Sequence, residues 1–205
     1  MSQRTYDDAC GAALAMDVVG ERWALLIVRE LILGPKRFRD LRAGLPLASQ
    51  NVLSQRLREL EAAGIVRHTV LGAPVSAPVY ELTDRGRRLE PTLIELSRWG
   101  AGQAAPEGAG MSTDAFMLLL KALYRPQDVS LTVHLHVGPD TFEVVITPAG
   151  AEVTRGTRAT ADVTITAAVA TMRAIMFTGR TVADGDVEIS GDRAAAELFF
   201  TLFGI

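Results

Sequence analysis

The chain has 205 residues, 48% of them apolar and 22% charged, the proportions of an ordinary globular protein. No apolar run reaches the ~18 residues needed to span a bilayer, no signal-peptide core follows Met1, and a single cysteine excludes an intrachain disulfide, so a cytoplasmic protein without a membrane partner is expected. The net charge of −3 is uneven: residues 1–105 hold 14 Lys and Arg against 12 Asp and Glu, residues 106–205 hold 7 against 12, and between Lys36 and Arg67 there are 7 basic residues and 3 acidic.

In chain order, Trp23, Leu26, Ile27, Glu30 and Leu31 follow the i, i+3, i+4 spacing of one helix face, and Gly34-Pro35 ends that helix. A short helix around Phe38 to Leu41, a second break at Gly44 to Pro46, and a longer helix over 49–61 complete a helix-turn-helix pattern. Gly64 stops the longer helix. Residues 65–71 read as a strand and 79–82 as its partner, with 72–78 a connection that cannot be regular strand because of its prolines. A helix-turn-helix followed by such a hairpin is a winged helix. Thr83-Asp84 is placed to cap a last helix through Leu89, Leu93, Leu96 and Trp99, with Pro91 kinking it or leaving its first turn irregular.

Residues 100–110 are dominated by Gly, Ala and Pro and read as a linker, giving domains 1–105 and 106–205. Beyond it, 112–124 is an amphipathic helix and 131–137 alternates strictly as a half-buried strand. Gly138-Pro139-Asp140 turns into a strand over 142–147. The expected register sets Val137 opposite Phe142, Leu135 opposite Val144, Val133 opposite Ile146, and His136 facing Glu143. A strand over 161–166, a helix over 169–178, a short strand over 186–190 and a final helix capped by Asp192 follow. The fold class expected is α+β in two domains, an N-terminal winged helix-turn-helix and a C-terminal mixed sheet backed by helices.

The chemistry concentrates in the second helix of the helix-turn-helix. On a 100° wheel Leu53, Leu57 and Leu60 share the buried face. Asn51, Gln55 and Arg58 lie opposite, with Gln50 and Ser54 flanking, and Ser49 at the start. Asn and Gln can bond adenine bidentately and Arg can bond guanine so. The helix N-terminus offers N–H groups to a phosphate, and Lys36, Arg37 and Arg39 are placed to meet the DNA backbone. The competing reading is a solvated polar face.

The 17–23 stretch (Asp17-Val18-Val19-Gly20-Glu21-Arg22-Trp23), the 34–41, 53–61 and 80–86 stretches together resemble the HxlR-type winged-helix transcriptional regulators over about residues 6–100. The resemblance implies a homodimer joined by its first and last helices, with two recognition helices in successive major grooves of a pseudo-palindromic operator. The family's wing usually carries a basic residue near its tip; 72–78 carries none, so Arg67 and His68 at the base of the wing are the expected contacts. Cys10 sits where some of these regulators keep a redox-sensing cysteine, yet Gly11 follows where they have proline. The alternative is a small hydrophobe near the dimer interface, and Asp7 and Asp8 would raise its pKa.

In the second half, 161–166, 172–180 and 187–192 resemble the core of the sterol-carrier-protein-type lipid-binding fold. That resemblance implies a sheet backed by helices around an apolar tunnel for a fatty-acyl or sterol-like ligand. The residues expected to line it are Phe116, Leu120, Val133, Leu135, Val144, Ile146, Met172, Met176, Phe177 and Phe199; an apolar stripe of this kind is also what plain core looks like. His134, His136 and Glu143 could supply three zinc ligands, but Thr132 and Val145 on the same face favour a solvated outer face, and no metal is expected. No phosphate loop, no supported Ser-His-Asp order and no cysteine pair occurs, so neither an enzyme nor a cofactor is expected. The sequence thus predicts a dimeric DNA-binding regulator whose C-terminal domain binds a small apolar ligand. The rivals are a structural second domain with redox input at Cys10, and a lipid carrier tethered by its N-terminal part.

Overall fold

The computed structural model describes residues 5–72, 76–106, 108–158, 160–184 and 186–204. The chain packs as two compact units, Met1–Leu93 and Ile94–Ile205.

The first unit runs α1 (Gly11–Val19), α2 (Ala24–Leu31), α3 (Phe38–Gly44), α4 (Gln50–Ala62), β1 (Val66–Leu71), β2 (Ala77–Leu82) and α5 (Asp84–Arg87); the division between units falls within α6 (Glu90–Ala101). The core of this unit is the inward stripe of each helix: Ile27, Val28 and Leu31 of α2, Leu41 of α3, and Leu53, Leu57 and Leu60 of α4, all at most 1% exposed. Val66, Val79 and Leu82 close it from the hairpin. Ser49 caps α4, its hydroxyl accepting from the Val52 N–H at 3.3 Å. Gly64 follows α4 with φ +68, a conformation glycine adopts without strain.

Two expectations for this unit are corrected. Ala77 and Pro78 belong to β2, pairing with Leu71 and Val70, although 72–78 read as irregular. The reason lies two residues on: Tyr80 turns its N–H and C=O outward to the backbone of Lys36, at 2.8 and 2.9 Å. By alternation the Pro78 nitrogen lies on the same outer edge, where no hydrogen bond from β1 is missed. Residues 73–75, the centre of the expected wing tip, fall outside the described residues. The last helix is also two helices, α5 and α6, separated at Arg88 and Leu89. Pro91 then lies in the first turn of α6, where its missing N–H has no partner to lose.

The second unit continues with α7 (Thr113–Leu123), β3 (Leu131–Val137), β4 (Asp140–Thr147), β5 (Gly150–Arg155), β6 (Val163–Thr166), α8 (Val169–Phe177), β7 (Glu188–Gly191) and α9 (Arg193–Thr201). Ser112 and Asp192 cap α7 and α9 through their side-chain oxygens. The sheet order is β5-β4-β3-β6-β7, antiparallel except for the parallel β3–β6 pair. One face is apolar, with Val133, Leu135, Phe142, Val144 and Ile165 fully buried; α7 packs on β5, and α9 on β3 and β6. The other face carries Thr132, His134, His136, Glu143, Thr164 and Thr166.

The β3–β4 register differs from the expected one by two residues. Val137 pairs with Asp140, Leu135 with Phe142, Val133 with Val144, and His134, not His136, with Glu143. The turn is only Gly138-Pro139: glycine takes φ +60 and proline's ring holds the next φ negative, the signs a tight hairpin needs. Because side chains alternate with period two, the shift leaves the buried face unchanged. β5 lay outside the expected elements; it pairs with β4 through Val144↔Val153 and Ile146↔Ala151. Among the described residues, no helix is long and apolar enough to cross a membrane.

Candidate nucleic-acid interface

α4 is held to its unit from both sides. Beneath it the leucine stripe is buried. At its middle Arg56, its side chain 13% exposed, reaches Glu21 at 3.3 Å as well as Glu59. At its C-terminus the Ala63 carbonyl accepts from Arg85 Nη1 at 2.7 Å, and Thr83 Oγ1 donates to the Gly64 carbonyl at 2.6 Å. Gly86 packs so closely that a Cβ would lie 2.2 Å from the Ile65 carbonyl oxygen. These contacts occupy backbone groups that a helix end otherwise leaves to solvent, and they fix where α4 ends.

The outward face of α4 carries Gln50, Asn51, Gln55 and Arg58, all exposed, with Ser54 half-buried beside them. Ser49 spends its hydroxyl on the cap. The Gln55 amide donates to Glu59 Oε1 at 3.0 Å, so its carbonyl end is the one turned from that bond. The Tyr80 phenol pKa is raised by burial and by Glu61, with the Arg58 charge opposing. His68 stacks on Tyr80 with ring centroids 4.7 Å apart. The face thus presents three amides and a guanidinium at the helix N-terminus and middle, the donor and acceptor set that reads base edges in a major groove.

The basic residues expected on the phosphate backbone divide. Arg39 is exposed beside Asp40 at 3.2 Å, and Arg37 is half-buried at the N-terminus of α3. Lys36 turns inward: its ammonium lies 2.7 Å from Oε2 of Glu30, a fully buried carboxylate whose other oxygen meets Arg29 at 2.8 Å. Gly44 is pressed against this group, and a Cβ there would lie 2.1 Å from Glu30 Oε2. Arg67 is exposed but paired with Glu81 at 2.7 Å. Sequence reasoning passed over Arg42, an exposed cation in the last turn of α3, and Leu47, which is 85% exposed in the turn before α4.

Cys10 stands exposed at the N-terminus of α1. The backbone N–H groups of Ala13 and Ala12 lower its thiol pKa, whereas the flanking carboxylates were expected to raise it.

Of the ten residues expected around an apolar tunnel, Phe116, Leu120, Val133, Leu135, Val144, Ile146, Met172 and Phe199 are buried to 1% exposure or less, and Met176 and Phe177 are half-buried. A cleft of about 220 Å³ in the second unit lies elsewhere, lined by Arg98, Ala122, Leu123, Tyr124, Arg125 and Gly204. His134 Nε2 stands 3.5 Å from Glu143 Oε2, and the same carboxylate oxygen accepts from the Arg158 N–H at 2.8 Å. Among the described residues no group of three His, Cys, Asp or Glu side chains is arranged to hold a metal ion.

Comparison with known proteins places these features. The family model described as HxlR-like helix-turn-helix matches residues 18–108. The HTH-type transcriptional regulator YvaP of Bacillus subtilis is 44% identical over 85 residues, 42% of this chain and 79% of that protein. YodB of the same organism, also an HTH-type transcriptional regulator, is 38% identical over 85 residues, 42% of this chain and 76% of that protein. Among solved structures, the oxidised form of the redox regulator HypR is 36% identical with a TM-score of 0.43, over 47% of this chain and 100% of that one.

Proposed function

Because the chain belongs to the HxlR-like helix-turn-helix family of transcriptional regulators, we propose that it binds a pseudo-palindromic operator as a homodimer, with α4 of each copy in successive major grooves. The observation that carries this reading is the division of α4 into a fully buried leucine stripe and an exposed Gln50, Asn51, Gln55 and Arg58 face. Arg37, Arg39 and Ser54 are further contacts of this reading. Lys36, Arg39 and Arg67, each engaged with a carboxylate, would contribute less charge to a phosphate than a free cation. The helices of the dimer reading carry exposed apolar side chains, Leu14 and Met16 on α1, Leu96 and Trp99 on α6, which a second copy would cover. The test is selection from a randomised duplex library followed by Arg58→Ala. That change should weaken binding to the selected duplex by about 1–3 kcal/mol and relax preference at one base pair per half-site. An unchanged affinity removes Arg58 from the base-reading set.

Residues 1–105 form the DNA-binding and dimerising domain of this proposal, and 106–205 an effector domain of sterol-carrier-like type that takes a small apolar ligand. A five-stranded sheet with helices packed on its apolar face supports that reading. Its occupancy would act by binding two arrangements of the dimer unequally. Fatty-acid and sterol titrations that leave operator affinity unchanged, with no ligand co-purifying, would remove the effector claim. A second reading places the input at Cys10, favoured by an exposed thiol of lowered pKa at a helix N-terminus. An oxidant response that survives Cys10→Ser would remove it.

A further inference from the structure

Leu47 is the most exposed of the large apolar side chains among the described residues, at 85%. Its position is not slack. Leu45 and Ala48 on either side are 2% and 3% exposed, and the Ala48 N–H donates to the Leu45 carbonyl at 3.0 Å. The four residues 45–48 therefore form a hydrogen-bonded turn with Pro46 and Leu47 at its centre, and Pro46 holds the φ that the first central position requires. The turn buries the residues at its ends and presents Leu47 to solvent. It does so two residues before the Ser49 cap, at the N-terminal end of α4, the end that a helix-turn-helix places against base edges.

We propose that Leu47 reads a thymine 5-methyl group in the major groove. The proposal rests on the DNA-binding reading of α4 and deepens it. An A·T pair presents adenine N6 and N7, which Gln50 or Asn51 can bond, and on the same groove edge a methyl group that only an apolar side chain can recognise. A leucine has nothing to offer a phosphate. It lies on neither α1 nor α6, the helices that the dimer reading employs. Contact with the methyl would remove both apolar surfaces from water, and the turn has already fixed the leucine backbone, so little further ordering opposes it.

The experiment uses the full chain and the duplex it selects from a randomised library. Each thymine of that duplex is replaced singly by uracil, which deletes the methyl and keeps base pairing. Affinities are measured for the unaltered chain, Leu47→Ala and Leu47→Gln. At one thymine per half-site, uracil should weaken the unaltered chain by roughly fourfold, the effect of one buried methyl group, and leave both variants unaffected. The slope of affinity against salt should be the same for all three proteins, because no phosphate contact is lost. Uracil acting equally on all three proteins at every position overturns the Leu47 proposal while leaving the operator reading intact. A changed salt slope, or a dimer mass lost with both variants, overturns it too by assigning Leu47 to a phosphate-side or subunit contact. Failure of any duplex to be enriched overturns the operator reading, and this proposal with it.

Discussion

Gly86→Ala sets two physical effects against each other, and the structure decides between them. Alanine is the better helix former by about 1 kcal/mol in a helix interior, and Gly86 lies within α5 with φ outside the positive range, so propensity alone predicts stabilisation. The new methyl would sit 2.2 Å from the Ile65 carbonyl oxygen and 3.2 Å from Leu82 Cδ2. Bringing the first distance to 3.0 Å demands roughly 0.8 Å of movement, against backbone rather than a flexible side-chain end. That oxygen also accepts from the Thr83 N–H at 3.0 Å. Overpacking costs about 1–3 kcal/mol, and the strained hydrogen bond adds about 1 kcal/mol, so the net expected is a loss of about 2 kcal/mol. For a cooperative unit of this size that lowers Tm by roughly 8–16 °C. Urea unfolding followed by Trp23 fluorescence in a Trp99→Phe background isolates the first unit. Gly86→Ala at or above the stability of its parent would refute the steric argument and with it the reading of the 63–65 and 83–86 junction as a tight clamp on α4.

Gly44→Ala should also destabilise, by about 1–3 kcal/mol, because its methyl displaces the Glu30 carboxylate from Arg29 and Lys36. A double-mutant cycle with Glu30→Ala should be strongly non-additive, and additivity would mean the two groups do not meet. In the second unit, Arg155 bridges the buried Asp114 at 2.6 Å and Asp140 at 2.5 Å. Arg155→Met should cost about 2–3 kcal/mol, less than the roughly 3–5 kcal/mol of a broken fully buried pair because Arg155 is partly exposed. Arg193→Met, from an exposed pair with Glu197, should cost under about 0.5 kcal/mol, both variants being read by urea unfolding followed by far-UV circular dichroism; equal losses would refute the ranking. The Cys10 thiolate should alkylate with a pH midpoint below that of a free thiol, since helix N–H groups favour the charged form; reactivity therefore rises at lower pH than in an unfolded control. A midpoint equal to the control contradicts the assignment.

What was legible in the chain was what periodicity enforces. Leu53, Leu57 and Leu60 specify which face of α4 is buried and hence which side chains are left outside. Strict alternation in β3 specified its inner face, but Val, Leu and Ile are interchangeable partners, so the alternation could not resolve a step of two; only the two-residue Gly138-Pro139 turn does. β5 escaped notice because it directs only Ala151 and Val153 inward while Glu152, Thr154 and Arg155 make it read as loop. The stripe of Met172, Phe199 and their neighbours was equally compatible with core and pocket, and their near-complete burial is what packing them on one another produces. Lys36 read as a phosphate contact because its charge is visible in sequence and its pairing with Glu30, six residues away across a helix break, is not. Leu47 was passed over because single apolar residues in a turn carry no periodic signal.

The single parallel pairing at the centre of the sheet has a kinetic consequence. β3, β4 and β5 are successive hairpins whose partners meet across tight turns, as with Val137 and Asp140, whereas Val133 finds Val163 thirty residues downstream. Closing that distance carries a larger entropic cost before any bond repays it. The β3–β5 meander should therefore assemble first during refolding, with β6, α8 and β7 docking onto its open β3 edge afterwards. Pulse-labelling of amides would show protection in β4 ahead of β6, and until that late step the exposed β3 edge is where a partly folded chain would find another copy of itself.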